Sequence, residues 1–201
     1  MAKVKICGLF RIADAMAANR AMPDYVGFVF AKSRRQVPPV QAAEMRTVLS
    51  PWIRTVGVFV NEEAETIREI AEYCQLDLIQ LHGQESPETV RRVRDICGLG
   101  VIKAVHVEEA LAWDHTEADF LLIDEGAGGT GRSFDWTKLP KLDKPYFLAG
   151  GIGLHNLTEA LGTDAYGIDV SSGVETDGYK DPEKMCQLVE SVRKKEREEH
   201  E

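Results

Sequence analysis

Apolar residues in this chain gather into short runs separated by amphipathic stretches, and the first run sets the pattern. Val4-Lys5-Ile6-Cys7-Gly8 alternates and stops at a glycine. A strand's period of two puts Val4 and Ile6 on one face, Lys5 and Cys7 on the other. An alanine-rich helix is predicted from about Arg11 to Met22, stopped by Pro23. Tyr25 to Phe30 reads as a second strand, followed by the polar loop Lys32 to Gln36 and a helix opened by Pro38-Pro39. Thr55 to Val60 is a third, ending at Asn61 before the acidic helix start Glu62-Glu63. Leu76 to Gly83 is a fourth, after which Ser86-Pro87-Glu88 supplies a cap, a first-turn proline and an early acid.

The second half repeats the scheme. Val101 to Val107 is followed by a short helix, about Glu108 to Trp113, and Phe120 to Asp124 ends in a carboxylate. A glycine-rich loop, Gly126 to Gly131, precedes Phe134-Asp135-Trp136. Tyr146 to Ala149 runs into Gly150-Gly151, Gly167 to Gly173 is the last strand, and a final helix begins near Asp181-Pro182-Glu183. Strands and helices alternate about eight times at intervals of roughly 20 to 30 residues, the signature of parallel β-α units. The expected fold is therefore α/β, a single (β/α)8 TIM barrel over residues 1–201. The charged stretch from about residue 193 reads as the solvated end of the last helix. An open doubly wound sheet is the rival, but Gly8-Leu9-Phe10 is not a glycine-rich pyrophosphate turn.

Composition narrows the function classes. With 201 residues, 44% of them hydrophobic, the chain can bury one sizeable core but not two ordinary domains. A net charge of -9 speaks against nucleic-acid partners and anionic membranes, while leaving room for a small anionic ligand that senses local fields. There is no signal-peptide pattern and no apolar run of membrane-spanning length, so a cytoplasmic protein is expected, monomer favoured over homodimer. The four cysteines show no metal-ligand spacing, and neither a disulfide framework nor a zinc site is expected.

In a barrel of this kind the active site lies where the strands end, here at Cys7, His82, His106, Asp124, Gly150 and Ser171-Ser172. Cys7 and Asp124 end strands one and six, nearly opposite in an eight-membered ring. A ligand between them could lose a proton on one side and gain one on the other, as general acid–base isomerisation requires. The thiol must be partly ionised to act as a base, and the carboxyl protonated to act as an acid, helped by burial or by Asp169 nearby. The adjacent loops at Gly150-Gly151 and Ser171-Ser172-Gly173 suit a phosphate, and hence a phosphorylated small-molecule partner. Arg35, in the loop after strand two, suits a second anion such as a carboxylate; its plainer reading is a solvated loop charge, as for Arg34. His82 reads equally as a substrate contact or as a loop-bonding histidine, while for His106 the loop-bonding reading is favoured. Lys5 and Asp169 point inward, and a structural ion pair inside the barrel is the alternative reading for both, in place of a substrate contact for Asp169.

Lys5 to Leu9, Gly27 to Phe30, Ser33 to Val37, Val56 to Asn61 and Gln80 to Gly83, with Gly129 to Gly131, Phe134 to Trp136, Ala149 to Gly151 and Asp169 to Glu175, closely resemble phosphoribosylanthranilate isomerases in order and strand position. The resemblance implies an Amadori rearrangement without metal or organic cofactor, the third step from chorismate in tryptophan biosynthesis. N-(5-phosphoribosyl)anthranilate becomes 1-(2-carboxyphenylamino)-1-deoxyribulose 5-phosphate. It further implies Asp124 as the acid that opens the furanose ring and Cys7 as the base at the sugar's second carbon. Arg35 would hold the anthranilate carboxylate and the two glycine and serine loops the phosphate. Two positions depart from the family: Phe10 where threonine is common, expected to narrow the mouth near Cys7, and Arg34 where proline is usual, expected to loosen the loop carrying Arg35.

Two other readings compete. A histidine-pathway sugar-phosphate isomerase shares the architecture but uses paired aspartates, against which the thiol of Cys7 speaks. A non-catalytic phosphate-ligand protein would keep the loops and tolerate loss of Cys7 and Asp124.

Overall fold

The first and last strands of the barrel lie side by side. In the computed structural model, which describes residues 2–124 and 135–198, β1 (Lys3–Cys7) pairs in parallel with both β2 (Tyr25–Val29) and β8 (Gly167–Val170). Between them run β3 (Arg54–Phe59), β4 (Leu78–Leu81), β5 (Gly100–His106), β6 (Phe120–Asp124) and β7 (Tyr146–Leu148), and the eight close into one barrel in chain order. Closure leaves no unpaired sheet edge, because every strand finds a neighbour on each side. The predicted strands are all present; Phe120–Asp124 keeps its bounds, and the others are shortened or shifted by one to three residues at their ends.

Helices α1 (Ile12–Ala21), α2 (Pro39–Val48), α3 (Ala64–Cys74) and α4 (Pro87–Cys97) follow the first four strands. Their ends obey the local signals. The Ser86 hydroxyl accepts from the Thr89 amide at 3.2 Å, and Gly98 closes α4 in the left-handed conformation (φ 64°). After β5 come a 3-10 turn and α5 (Ala110–Trp113). Between β6 and β7 the described part contains the 3-10 turn Trp136–Lys138; the glycine-rich loop Gly126 to Gly131 and Phe134 lie outside the described residues. Helix α6 (Leu157–Leu161) precedes β8, and α7 (Pro182–Glu198) ends the described chain.

One element was not predicted. A hairpin, β9 (Glu175–Thr176) and β10 (Tyr179–Lys180), stands between β8 and α7. Its turn is Asp177-Gly178, both at positive φ (52° and 82°) as a tight primed turn requires.

Strand alternation divides the core in two. Val4, Ile6, Val26, Ile79, Leu121 and Ile168 face outward to the helices, while Tyr25, Val56, Leu78, Ile102, Leu122 and Phe147 fill the barrel. Phe147 meets Tyr25 and Tyr166 edge-on at 5.4 and 5.3 Å, and the two tyrosine hydroxyls hydrogen-bond at 3.0 Å. This aromatic floor blocks one end of the barrel. Access is left at the carboxyl ends of the strands, where the candidate residues sit.

Candidate active site

A cavity of about 1170 Å³ opens at that end. Cys7 and Asp124 both line it, each the last residue of its strand and each buried. On the shorter arc only β7 and β8 lie between their strands. The neighbouring strand makes room for the thiol: a Cβ on Gly27 would sit 2.7 Å from the Cys7 Sγ. Burial pushes the Cys7 thiol up; Lys5 pulls it down, Asp169 adds to the rise, and Lys180 opposes it, leaving the thiol above its ordinary value.

Directly below, Lys5 is fully buried and donates to Asp169 Oδ1 at 2.8 Å. Asp169 thus forms the interior ion pair, and it also lines the cavity. His82 lies on the cavity wall, its Nδ1 2.9 Å from Gln80 Nε2, and burial lowers its pKa so that the neutral ring is favoured. Gln80 is itself inward-facing, and its Oε1 is buried without a partner among the described residues. His106 reaches the cavity from the end of β5 but is exposed.

The loops after β7 and β8 are built against each other. Gly150 and Gly151 have φ of 92° and 61°, a backbone that side chains disfavour. Asn156 braces the loop by accepting from the Gly153 amide at 2.9 Å and donating to the Gly151 carbonyl at 3.2 Å. Gly150, Gly151, Ser171 and Ser172 line the cavity. Gly173 does not. It bridges to Gly153, and a Cβ there would overlap the Ile152 carbonyl, so its glycine serves loop packing rather than the cavity wall.

Arg35 lines the cavity from the loop after β2, and it is not a solvated charge. Its stem lies over Gly8, which a Cβ would prevent. Its Nε and Nη2 donate to the two oxygens of Glu175 at 2.7 and 3.1 Å. Lys180 donates to the same carboxylate at 2.7 Å and to the Ser171 carbonyl at 2.9 Å. Burial alone would raise the Glu175 carboxyl, but Arg35 and Lys180 outweigh it and hold it below the usual carboxylate range. Ser171 Oγ in turn donates to the Cys7 carbonyl at 3.0 Å, joining this cluster to the end of β1.

Both departures from the family pattern act differently from expectation. Phe10 does not line the cavity; its ring lies 5.9 Å from that of Tyr179, with the Arg11 guanidinium 4.3 Å above the Tyr179 ring. Arg34 does not loosen its loop, because it donates to Glu175 at 2.6 Å and adds a second tether.

Glu175 and Lys180 are the residues that strand reading missed. Their signal was the Asp177-Gly178 turn between them, a hairpin cue that folds two short strands over the loop after β8. Outside the cavity, Asp114, His115 and Asp143 could in principle ligate a metal, but Asp114 already accepts the Asp143 and Lys144 amides at 3.1 and 2.8 Å.

The sequence model of the family described as N-(5'phosphoribosyl)anthranilate (PRA) isomerase matches residues 4–191. An N-(5'-phosphoribosyl)anthranilate isomerase of Thermoanaerobacter pseudethanolicus is 43% identical over 96% of this chain and 98% of its own. The crystal structure of phosphoribosyl anthranilate isomerase from Thermus thermophilus superposes with a TM-score of 0.87 at 34% identity, covering 96% and 98% of the two chains. A phosphoribosyl anthranilate isomerase solved in complex with reduced 1-(o-carboxyphenylamino)-1-deoxyribulose 5-phosphate gives 0.82 at 34% identity, covering 96% and 100%.

Proposed function

This chain belongs to the N-(5'-phosphoribosyl)anthranilate isomerase family, and on that premise we propose how the residues at its barrel mouth divide the work. The enzyme isomerises N-(5'-phosphoribosyl)anthranilate to 1-(2-carboxyphenylamino)-1-deoxyribulose 5-phosphate in tryptophan biosynthesis.

In the proposed sequence Asp124 donates its proton to the furanose ring oxygen. The bond from that oxygen to the sugar's first carbon breaks, and the anilino nitrogen's lone pair forms the Schiff base. The Cys7 thiolate then takes the proton from the second carbon; that C–H pair forms the double bond to the first carbon while the C=N pair returns to nitrogen. The resulting enolamine becomes the ketone as its hydroxyl loses a proton and the first carbon gains one. Arg35 meets the anthranilate carboxylate with the guanidinium edge that Glu175 leaves open. Backbone amides of the loops at Gly150-Gly151 and Ser171-Ser172 meet the phosphate. His82 and Asp169 contact the sugar between these two anchors.

What supports this reading is one observation: Cys7 and Asp124 line a single cavity that also holds Arg35 and both loops. All of these groups come from one chain, so we propose a working monomer and one catalytic domain. No described helix is long and apolar enough to cross a membrane, and the cytoplasm is the proposed location. The test is loss of fluorescence of freshly prepared N-(5'-phosphoribosyl)anthranilate on adding the protein. No change in the signal beyond the spontaneous rate would reject the assignment.

A further inference from the structure

The buried Cys7 thiol poses a problem for its own task. A base must be ionised, and a thiol removed from water resists ionisation. Cys74 shows what burial does without opposing charge: it is pushed up to about 11. We propose that Lys5 is the positioning residue that makes Cys7 a base, its ammonium holding the thiolate from beneath, with Asp169 setting how much of that charge the sulfur receives. The inference rests on the reading of Cys7 as the base.

The geometry singles out Lys5. It lies two residues before Cys7 on the same inward face, so its long side chain rises toward the level of the thiol. Its ammonium is held by Asp169 at 2.8 Å, and of the charges acting on the Cys7 thiol it is the one that lowers it most. An ammonium has three donors, and one goes to Asp169 at 2.8 Å, leaving donors for sulfur. Lys180 is the other cation near the thiol, but it is spent on the Ser171 carbonyl, the Ser171 hydroxyl and Glu175 at 2.9, 3.3 and 2.7 Å.

A buried ion pair is weak evidence of a contribution to stability, since apolar residues of similar volume often serve a core as well. A pair placed next to a reacting group has a reason to be charged. The remaining surroundings are few. Strand β2 places Gly27 against the thiol, Arg34, Arg35 and Lys180 share the one carboxylate of Glu175 above, and Asp124 and His82 line the same cavity, His82 with its neutral form favoured.

The test is the pH dependence of iodoacetamide alkylation at Cys7 in the full-length protein, read on the Cys7 peptide by mass spectrometry so that the other three cysteines do not interfere. Two variants keep the argument separate from folding. Asp169→Asn leaves the ammonium and removes its competing partner; Lys5→Met with Asp169→Asn removes both charges and leaves the barrel interior neutral. The alkylation midpoint should fall below wild type in Asp169→Asn and rise above it in the double variant. At neutral pH the double variant should react about tenfold more slowly than Asp169→Asn, as a shift of one unit gives. Coinciding midpoints in the two variants would overturn the proposal. Should the double variant not fold, Asp169→Asn decides alone, and a midpoint at or above wild type overturns it. Retained turnover in Cys7→Ser would instead reject Cys7 as the base, a failure that leaves the alkylation result intact.

Discussion

Arg35 and Glu175 stand 140 residues apart in the chain, and their guanidinium and carboxylate meet side-on at 2.7 and 3.1 Å. The Nε and Nη2 edge is thereby committed, and no hydrogen bond is made by Nη1 among the described residues. A substrate carboxylate would be taken by the Nη1 and Nη2 edge, whose direction Glu175 fixes. Arg35→Ala should raise KM on the order of 100-fold, the worth of a charge-assisted pair. Glu175→Gln should raise it about tenfold, with kcat changing less than about threefold. Because Glu175 acts through Arg35, the double variant should bind no worse than Arg35→Ala alone. Steady-state kinetics of the four proteins decides it, and additive losses would show that Glu175 acts elsewhere.

Cys7→Ser and Asp124→Asn should each lower kcat at least about 100-fold, the range for loss of a general base or acid. Neither change removes an anion anchor, so KM should move by less than about fivefold. Near-normal turnover in either variant dismisses the role given to that residue.

A second buried pair braces the wall beside the cavity. Lys103 Nζ donates to Glu85 at 2.8 Å and to the Gly83 carbonyl at 2.7 Å, while Glu85 accepts the amides of Asn61 and Gly83 at 2.8 and 2.9 Å. Glu85→Gln would leave the Lys103 ammonium unpaired out of water, a loss of about 3–5 kcal/mol. Thermal unfolding should then come roughly 10 °C lower. Adding Lys103→Met should recover much of that loss; a double variant as unstable as the single one would contradict the charge-pair account.

Acid stability should depend on Asp24. Its carboxylate accepts from the Val4 amide at 2.9 Å and pairs with Lys3 at 3.0 Å and Arg193 at 2.6 Å, tying β1 to α7. Burial would raise this carboxyl, but the Val4 amide, Arg193 and Lys3 prevail and hold it below 3.8. A depressed folded-state pKa gives stability that is present above the unfolded value and lost as pH falls through the folded one. Asp24→Asn should therefore destabilise the protein at neutral pH and flatten the fall in stability below about pH 4. Urea unfolding across that range checks both, and parallel curves for wild type and variant would exclude Asp24 as a source of the pH dependence.

How far the sequence could be read depended on the range of the interaction. The positions of Cys7 and Asp124 at strand ends followed from alternation and from the glycine or polar stop after each run, which are properties of neighbouring residues. Ser86 announced the start of α4 for the same local reason. The Asp177-Gly178 turn was equally local and available, yet a hairpin of two-residue strands falls below the length at which alternation signals a strand. Phe10 and Arg34 could be seen as departures, but their partners Tyr179 and Glu175 could not.

The chain's own order of residues thus determined eight strands, their facing, and the end of the barrel at which chemistry can occur. Tertiary structure alone decided that Lys5 pairs with Asp169, that Glu175 orients Arg35, and that Gly173 packs a loop instead of lining the cavity. The reason is closure: only when β8 is laid against β1 do charges from opposite ends of the chain come within hydrogen-bonding distance. Alternation along one strand sets which way a side chain faces, and contains nothing about the partner it will meet there.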